Sequence, residues 1–392
     1  MLSKRIPRAC MVAYTFYDTD NRVRRYAETL IRCGWNVDAI VLRNPGRERR
    51  YQVNGVNVIC IQKREHNEKR KSTYLIRLLT FLIRSAVVLS WEHVKNPYRL
   101  VHLHSIPDFE VFAAIIPKIT GAKIILDIHD IVPELFLSKF GARANTTLFK
   151  LLLIVERASA CFADHLIIAN DIWLKRMISR SVPEKKCTTI MNYPVPEIFG
   201  GKRRTRGQDS RLIMLYPGTL SRHQGIDTAI KAIDIVKNEL PELVFHIYGK
   251  GTDEDQLKGL ARQLNLQGRV EFFSPLPLEK IAEVMANADF GVEPKLRESF
   301  SDEAFSTKIL EFMYLGIPVI ASNTTVHKYY VADDLVKYFN AGDPQDLADA
   351  IRTICNNKLM RQQLVEKSAK FIKEYSWDYR KKVYLDLVGI TS

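Results

Sequence analysis

In the stretch DEAFSTKILEFMYLGIPVIAS, from Asp302 to Ser322, Glu303 and Glu311 stand eight positions apart with Lys308 between them. A Gly-x-Pro turn and an apolar strand follow. The run 306–314 reads as a helix starting at Ser306 or Thr307, so its first backbone N–H groups would point at an anion, helped by the positive end of the helix dipole. Lys308 adds a full charge beside them. Glu311 lies one turn on, and Glu303 sits on the loop before. An anion at the helix start, with hydroxyl-bearing groups accepted by two carboxylates, describes a nucleotide sugar. Acids and a lysine near a helix start are also favourable for the dipole alone, and spacing does not separate the two readings.

Such a loop must be held by something rigid. From end to end, short apolar runs alternate with helical periodicity: ACMVAY before 21–33, VDAIVL, VNVICI before 73–92, LVHL before 109–118, KIILDI before 145–162, and HLIIA before 171–180. On 21–33, Val23, Tyr26, Ala27, Leu30 and Ile31 share one helical face that would pack on a sheet. Strands this short and apolar imply burial on both faces, hence a parallel sheet with helices on each side. At 192–211 the pattern breaks into NYPVPEIFGGKRRTRGQDSR, a Pro-, Gly- and charge-rich linker. Alternation resumes with strands at 212–216, 243–248, 269–273, 289–293 and 318–321 and helices at 225–238, 253–264, 278–286 and 306–314. Two Rossmann-like domains follow, and 392 residues exceed one ordinary core. In open parallel sheets ligands bind beyond the carboxyl ends of the strands.

Composition narrows the class. An apolar fraction of 46% excludes a disordered chain. The basic opening to Arg8 runs into a strand, so no cleavable signal peptide is expected. Six scattered cysteines without a CxxC pair signal neither zinc nor a disulfide framework and suit a reducing cytoplasm. The net charge of +14 is unevenly placed: residues 1–200 hold 31 Lys and Arg against 18 Asp and Glu, and residues 201–392 hold 27 against 26. The N-terminal half is therefore the one expected to meet something anionic.

In that half, DIHDIVPELF places His129 and Asp130 at the carboxyl edge of an apolar strand. His102 and His104 alternate on another strand, with Asp108 following; His104 either nears an acceptor or fills the sheet end. Glu134 and Glu156 either support neighbouring groups or are surface charges. Asp18–Asp20 and Asp253–Asp255 spell the DxD pattern of divalent-metal sites, but Asp20 and Asp253 precede helices and read as N-caps, so no metal site is expected. Asp20 could still line the acceptor side. GKG at 249–251 lacks the third glycine of a dinucleotide fingerprint.

The Glu303-x7-Glu311 spacing, with Glu311 five residues before Gly316 and GIPVIAS after it, resembles the signature of the retaining family 4 glycosyltransferases of GT-B fold. YPGTLSRHQGID (216–227), HIYGKG (246–251), RVEFF (269–273) and ADFGVEPK (288–295) agree in order. The similarity extends over nearly the whole chain and is specific mainly within 212–322. It implies an α/β, GT-B architecture in which two Rossmann-like domains with parallel sheets face each other across a cleft: 1–195 for the acceptor, 196–375 for the nucleotide sugar, and a helix at 376–392 crossing back. It further implies that Glu311 binds the ribose hydroxyls, that Lys308 with the helix-start residues Ser306 and Thr307 binds the diphosphate, and that Glu303 binds the transferred sugar. Gly218 would admit the phosphates, the backbone at Phe273–Pro275 would meet the base, and His129 would reach the donor sugar. The family carries cations where this chain has Thr219 and Gln224; Arg222 is the nearby cation to replace them.

The expected reaction is metal-independent transfer of a sugar, without a cofactor, from a UDP- or GDP-sugar to a hydroxyl. The acceptor would be a lipid-linked or other glycan in bacterial envelope polysaccharide assembly. The basic run KREHNEKRK (63–71) precedes the apolar stretch 72–91, whose Arg77, Thr80, Arg84 and Ser85 fall on one stripe. That pattern suggests an amphipathic helix in the headgroups of an anionic membrane rather than a span, so the expected location is cytoplasmic, peripheral at the inner face of the plasma membrane. The alternatives are a helix that merely covers the sheet and, for the chain, a non-catalytic sugar-nucleotide-binding or scaffold protein of the same fold. Nucleic acid is not an expected partner, because no recognition-helix, RRM-like or KH-like signature appears.

Overall fold

The structure is a computed structural model that describes residues 6–63, 71–140, 146–207, 211–298 and 300–390. Most of the basic run 63–71 lies outside the described residues. The chain divides into two compact units, one formed by Met1–Asn192 with Val383–Ser392 and the other by Tyr193–Lys382.

The first unit is built on an eight-stranded sheet: β1 (Arg8–Ala13), β2 (Asn36–Arg43), β3 (Arg50–Val53), β4 (Val56–Lys63), β5 (Leu100–His104), β6 (Lys123–Ile128), β7 (His165–Ile168) and β8 (Cys187–Thr189). Their order is β3-β4-β2-β1-β5-β6-β7-β8, parallel except for the β3–β4 hairpin. Every residue of β5 is buried, as expected of a strand with helices on both faces. Helix α1 (Asn21–Arg32) starts where Asp20 accepts the backbone N–H groups of Arg22 and Val23, so this acid is an N-cap. The long helix α2 (Lys71–Lys95) leads to β5. The expected helix at 109–118 is a 3-10 turn, Asp108–Ala114, followed by α3 (Ile115–Ile119). Before β7 the chain forms two helices, α4 (Val132–Phe140) and α5 (Thr147–Phe162). The last residues belong here too: Tyr384 is buried with its hydroxyl 3.2 Å from His102 Nδ1 and its ring 4.5 Å from that of Tyr26.

One expectation about α2 is corrected. Its polar positions do not share one face: Ser85 is fully buried and donates to the Glu110 carboxylate, whereas Arg84 is exposed. Leu78, Phe81 and Leu89 pack inward beside Ser85, and the outward face is apolar. Thr73–Lys95 is long and apolar enough to cross a membrane by length and composition, the one such helix among the described residues.

The second unit holds six parallel strands, β9 (Leu212–Pro217), β10 (Leu243–Tyr248), β11 (Val270–Phe273), β12 (Phe290–Glu293), β13 (Val319–Ser322) and β14 (Lys337–Phe339), in the order β11-β10-β9-β12-β13-β14. Its core gathers Met214, Phe245, Phe290, Ile320 and Ile351. Full burial of each such side chain stabilises by ~1.5–3 kcal/mol. The strand order reverses between β9 and β12, the position at which a doubly wound sheet opens a crevice. Asp253 stands before the helix Glu254–Gln263, but its carboxylate accepts from Thr252 Oγ1 at 2.8 Å and caps no backbone N–H, which corrects its reading as a side-chain cap.

Candidate active site

The helix expected at 306–314 is observed as Thr307–Tyr314 with Ser306 at the N-cap position. Packing explains where it starts: Gly291 of β12 carries no side chain, and a Cβ there would come within 2.4 Å of the Phe312 ring. The helix therefore lies close on β12, with its first turn beside Glu293 at the carboxyl end of that strand. Lys308 Nζ lies 3.2 Å from Glu293 Oε2 and 5.1 Å from the centre of the Tyr216 ring. A methyl on Gly218, just past β9, would be 3.4 Å from the same Nζ. Gly218 and Glu293 flank the sheet's switch point, and Lys308 stands between them.

The electrostatics favour an anion. Burial works to raise the Glu293 carboxyl, but Lys308 and then Lys295 outweigh it and hold the group below its ordinary value. Glu311, one turn along the helix, is pushed up to about 7 by burial; Lys308 and a hydrogen bond from Thr307 oppose the shift. His327 is fully buried, with Nδ1 2.9 Å from the Ser322 carbonyl, and burial followed by Lys295 lowers it to about 4, so its ring is neutral. Ser306 is 4% exposed, and its hydroxyl has no partner among the described residues. A buried donor left unpaired at a helix start is a group that a ligand can satisfy.

Glu303 lies on the loop before the helix, and two contacts fix that loop. Lys295 Nζ donates to the Ala304 carbonyl at 2.7 Å, and Asp302 accepts from the Thr325 backbone N–H at 2.8 Å and from its hydroxyl at 2.6 Å. At the opposite side of β9, Phe273 ends β11 and stacks on Tyr248 with ring centres 4.5 Å apart. Gln224 stays within the site: its Oε1 is 3.2 Å from the Tyr216 hydroxyl and its Nε2 is 3.0 Å from His223. The side chain of Arg222 is 86% exposed and lies 3.6 Å from Glu298.

In the first unit, His129 follows β6 and keeps 21% of its side chain exposed. Its Nε2 is 3.3 Å from Asp127 Oδ2 and 3.2 Å from His104 Nδ1. Arg22 grips the same carboxylate through Nε and Nη2, each at 2.7 Å. Burial opposes ionisation of Asp127, yet Arg22 and then His129 hold its carboxyl well below the usual range. Burial lowers both His102 and His104, leaving neutral rings that fill the sheet end. His102, His104 and Asp127 offer three donor atoms within 4.8 Å. With both Asp127 oxygens held by Arg22, the set is better suited to orienting His129 than to ligating a metal. Glu134 and Glu156 both pair with Arg180, at 2.5 and 2.6 Å.

Known proteins give the same outline. Residues 202–371 match the family described as glycosyl transferases group 1, and residues 19–192 match the glycosyl transferase 4-like domain. The chain belongs to the family 4 glycosyltransferases of GT-B fold. Among curated relatives, the alpha-galactosylglucosyldiacylglycerol synthase of Streptococcus pneumoniae is 23% identical over 80% of this chain and 82% of that one. Among solved structures, the sucrose-phosphate synthase of Thermosynechococcus elongatus aligns over 98% of this chain and all of its own, with 17% identity and a TM-score of 0.78. Anabaena HepE in complex with UDP and glucose aligns over 97% and 99%, with 13% identity and a TM-score of 0.72.

Within this glycosyltransferase, Gly218, Lys308, Ser306, Thr307 and Glu311 come together at one sheet edge. Phe273 lies two strands away on that edge, and Arg222 points largely into solvent. Reading the sequence missed Glu293, Lys295, Tyr216 and His327. The signal for the first two was the acid and lysine of GVEPK at the end of an apolar strand.

Proposed function

We propose that the protein transfers a sugar from a nucleoside-diphosphate sugar to a hydroxyl with retention at the anomeric carbon. The observation that carries this is Lys308 held between Gly218 and Glu293 at the switch point, beside helix-start amides. The diphosphate lies against Lys308, Ser306 and Thr307, the ribose hydroxyls donate to Glu311, and Glu303 orients the sugar. As the bond from the anomeric carbon to the diphosphate oxygen breaks, the acceptor oxygen forms its bond on the same face and its proton passes to a diphosphate oxygen. Lys308 and the amides stabilise the departing charge, so the step needs no metal. Glu303 positions the sugar and forms no covalent bond to it. In the first unit, Asp127 sets the orientation of His129, which keeps 21% of its side chain exposed for a substrate group.

The acceptor in this reading is a lipid-linked glycan or glycolipid at the cytoplasmic face of a membrane. The basic N-terminal half and the diacylglycerol named in the pneumococcal relative support that choice. Calorimetric titration with UDP, GDP and their sugars tests the donor half: one nucleotide binds to the wild type and not to Glu311→Ala. Absence of binding by every nucleoside diphosphate overturns the reading.

A further inference from the structure

At the carboxyl edge of the first sheet, β2 and β4 end beside a cavity of about 400 Å³. Arg43, Arg47 and Lys63 line it, with Glu48 as the acid set against them. Arg43 and Lys63 are the last residues of β2 and β4 and are partners in the register of those strands, so two cations stand side by side. Like charges on facing strand positions repel. Neither has an ion-pair partner among the described residues. Arg43 gives only its Nε to the Arg47 carbonyl, at 2.9 Å, which leaves both of its Nη groups for a ligand.

The wall of this cavity is tied to the turn that follows β1. Asp18 on that turn accepts from Arg47 Nε at 3.2 Å, from the Tyr51 hydroxyl at 3.3 Å and from Asn44 Nδ2 at 3.4 Å. The Arg47 guanidinium also lies 5.0 Å over the Tyr51 ring. Asp18 is thus spent on holding the loop, and the cavity keeps a positive balance. An arginine fork beside a lysine suits a phosphate, which takes several charge-assisted hydrogen bonds at once. The position agrees, because ligands of a parallel sheet bind beyond the carboxyl ends of its strands. Strand order reverses between β1 and β5, and β2 and β4 lie one and two strands from β1, about 5 and 10 Å across the sheet. An anion held there lies well to one side of the switch point.

We infer that Arg43 and Lys63, supported by Arg47, bind a phosphate or diphosphate group of the acceptor, set off from the reacting hydroxyl by at least one sugar ring. This rests on the reading above in taking the edge of the N-terminal sheet for the acceptor. An anion bridging Arg43 and Lys63 offsets the repulsion that their register imposes. The same chemistry serves a phosphate carried by a lipid and one carried by a soluble sugar. Acceptors without a phosphate lack the group this cavity selects.

Pyrophosphate is the probe, titrated calorimetrically into the full-length protein carrying Lys308→Met, which removes the cation of the donor site. Binding should persist in that variant and weaken by at least about tenfold when Arg43→Gln and Lys63→Gln are added. Pyrophosphate should raise the melting temperature of Lys308→Met and leave that of the triple variant unmoved. On their own, Arg43→Gln and Lys63→Gln together should keep the wild-type melting temperature and its UDP or GDP binding, which shows that the fold is intact. Two further ligands identify the bearer of the phosphate. Farnesyl diphosphate binding more tightly than pyrophosphate assigns it to a lipid, and glucose 1-phosphate doing so assigns it to a soluble sugar; either supports the site if the paired substitution removes the gain. The proposal is overturned if Lys308→Met does not bind pyrophosphate or if the triple variant binds it equally well. Nucleotide binding by the wild type without pyrophosphate binding by Lys308→Met would overturn this site alone. Pyrophosphate binding by Lys308→Met, with no nucleotide bound by the wild type, would overturn the donor reading alone.

Discussion

Lys308 Nζ lies 3.2 Å from the carboxylate of Glu293, joining the first turn of the Thr307–Tyr314 helix to the end of β12. Glu293 is fully buried, and Lys308 retains 15% of its side-chain exposure. One charge is thus fixed by the sheet, and the other is left with an open side for a ligand. Removing the buried partner should be costly. Glu293→Ala should destabilise by about 3 kcal/mol or more, since it strands Lys308 and the 5%-exposed Lys295. Glu293→Gln should cost less and still weaken nucleotide binding. Thermal melts and calorimetry of both variants check this.

Glu311 provides a pH test of the ribose contact. Its carboxyl is pushed up to about 7, mainly by burial, and only the ionised form accepts two hydroxyl hydrogens. Affinity should hold above pH 7 and fall as pH drops below it, approaching about tenfold per pH unit. Glu311→Gln should bind more weakly throughout and show a flatter profile. The measurement is the nucleotide dissociation constant of both proteins across pH 5 to 9.

A second buried carboxyl governs stability rather than binding. Glu110 is raised to about 8 by burial, opposed by its bond from Ser85. In the unfolded chain it ionises near the ordinary glutamate value. Between the two values the folded state holds the extra proton, so this contribution is complete at low pH and is lost as pH rises to about 8. Its size is on the order of a few kcal/mol. Denaturant melts should show stability falling over that range, and Glu110→Gln should remove most of the slope.

The glycine before the helix Ile226–Val236 separates backbone geometry from chemistry. Gly225 has φ +67°, and a Cβ there would sit 2.0 Å from the Pro294 carbonyl oxygen. Gly225→Ala must shift either the loop after β9 or the one after β12, and should reduce kcat/KM by about tenfold or more alongside a loss of stability. Gly207→Ala, which meets nothing within 4 Å, should be silent. Steady-state kinetics and melting curves on the two variants make the comparison.

Arg222 tests how much the phosphates depend on a cation in the loop. With 86% of its side chain exposed, Arg222→Gln should raise KM only a few-fold, as expected for a screened contact. Lys308→Met should lower kcat/KM by at least about a hundredfold.

Much of the architecture was legible because burial writes itself into strands. ACMVAY, KIILDI and LIMLY are apolar for their whole length, and only a two-sided parallel sheet needs that. The strands at Arg50–Val53, Cys187–Thr189 and Lys337–Phe339 were not legible: they are three or four residues long and carry polar or charged side chains. Helices Pro344–Asn356 and Lys358–Glu374 lie beyond 318–321, the last strand that sequence patterning identified, and were missed along with Lys337–Phe339. In the candidate site, Lys308 and Glu311 were found from their position at a helix start. Glu293 was passed over because an acid closing an apolar strand looks like the beginning of a loop. The outward face of α2 was misjudged for a related reason. With apolar residues around most of the helix, only tertiary contacts decide which stripe is buried, and Ser85 went inward with Phe81.

Sugar transfer as proposed requires an activated glycosyl donor held at the switch point of the C-terminal sheet. A crystal structure of the protein soaked with UDP or GDP tests it most directly. Diphosphate oxygens should lie within hydrogen-bonding distance of Lys308 Nζ and the Thr307 backbone N–H, with the ribose hydroxyls on Glu311. A nucleotide bound elsewhere in the chain, with Lys308 still turned to Glu293 and Glu311 uncontacted, would contradict it.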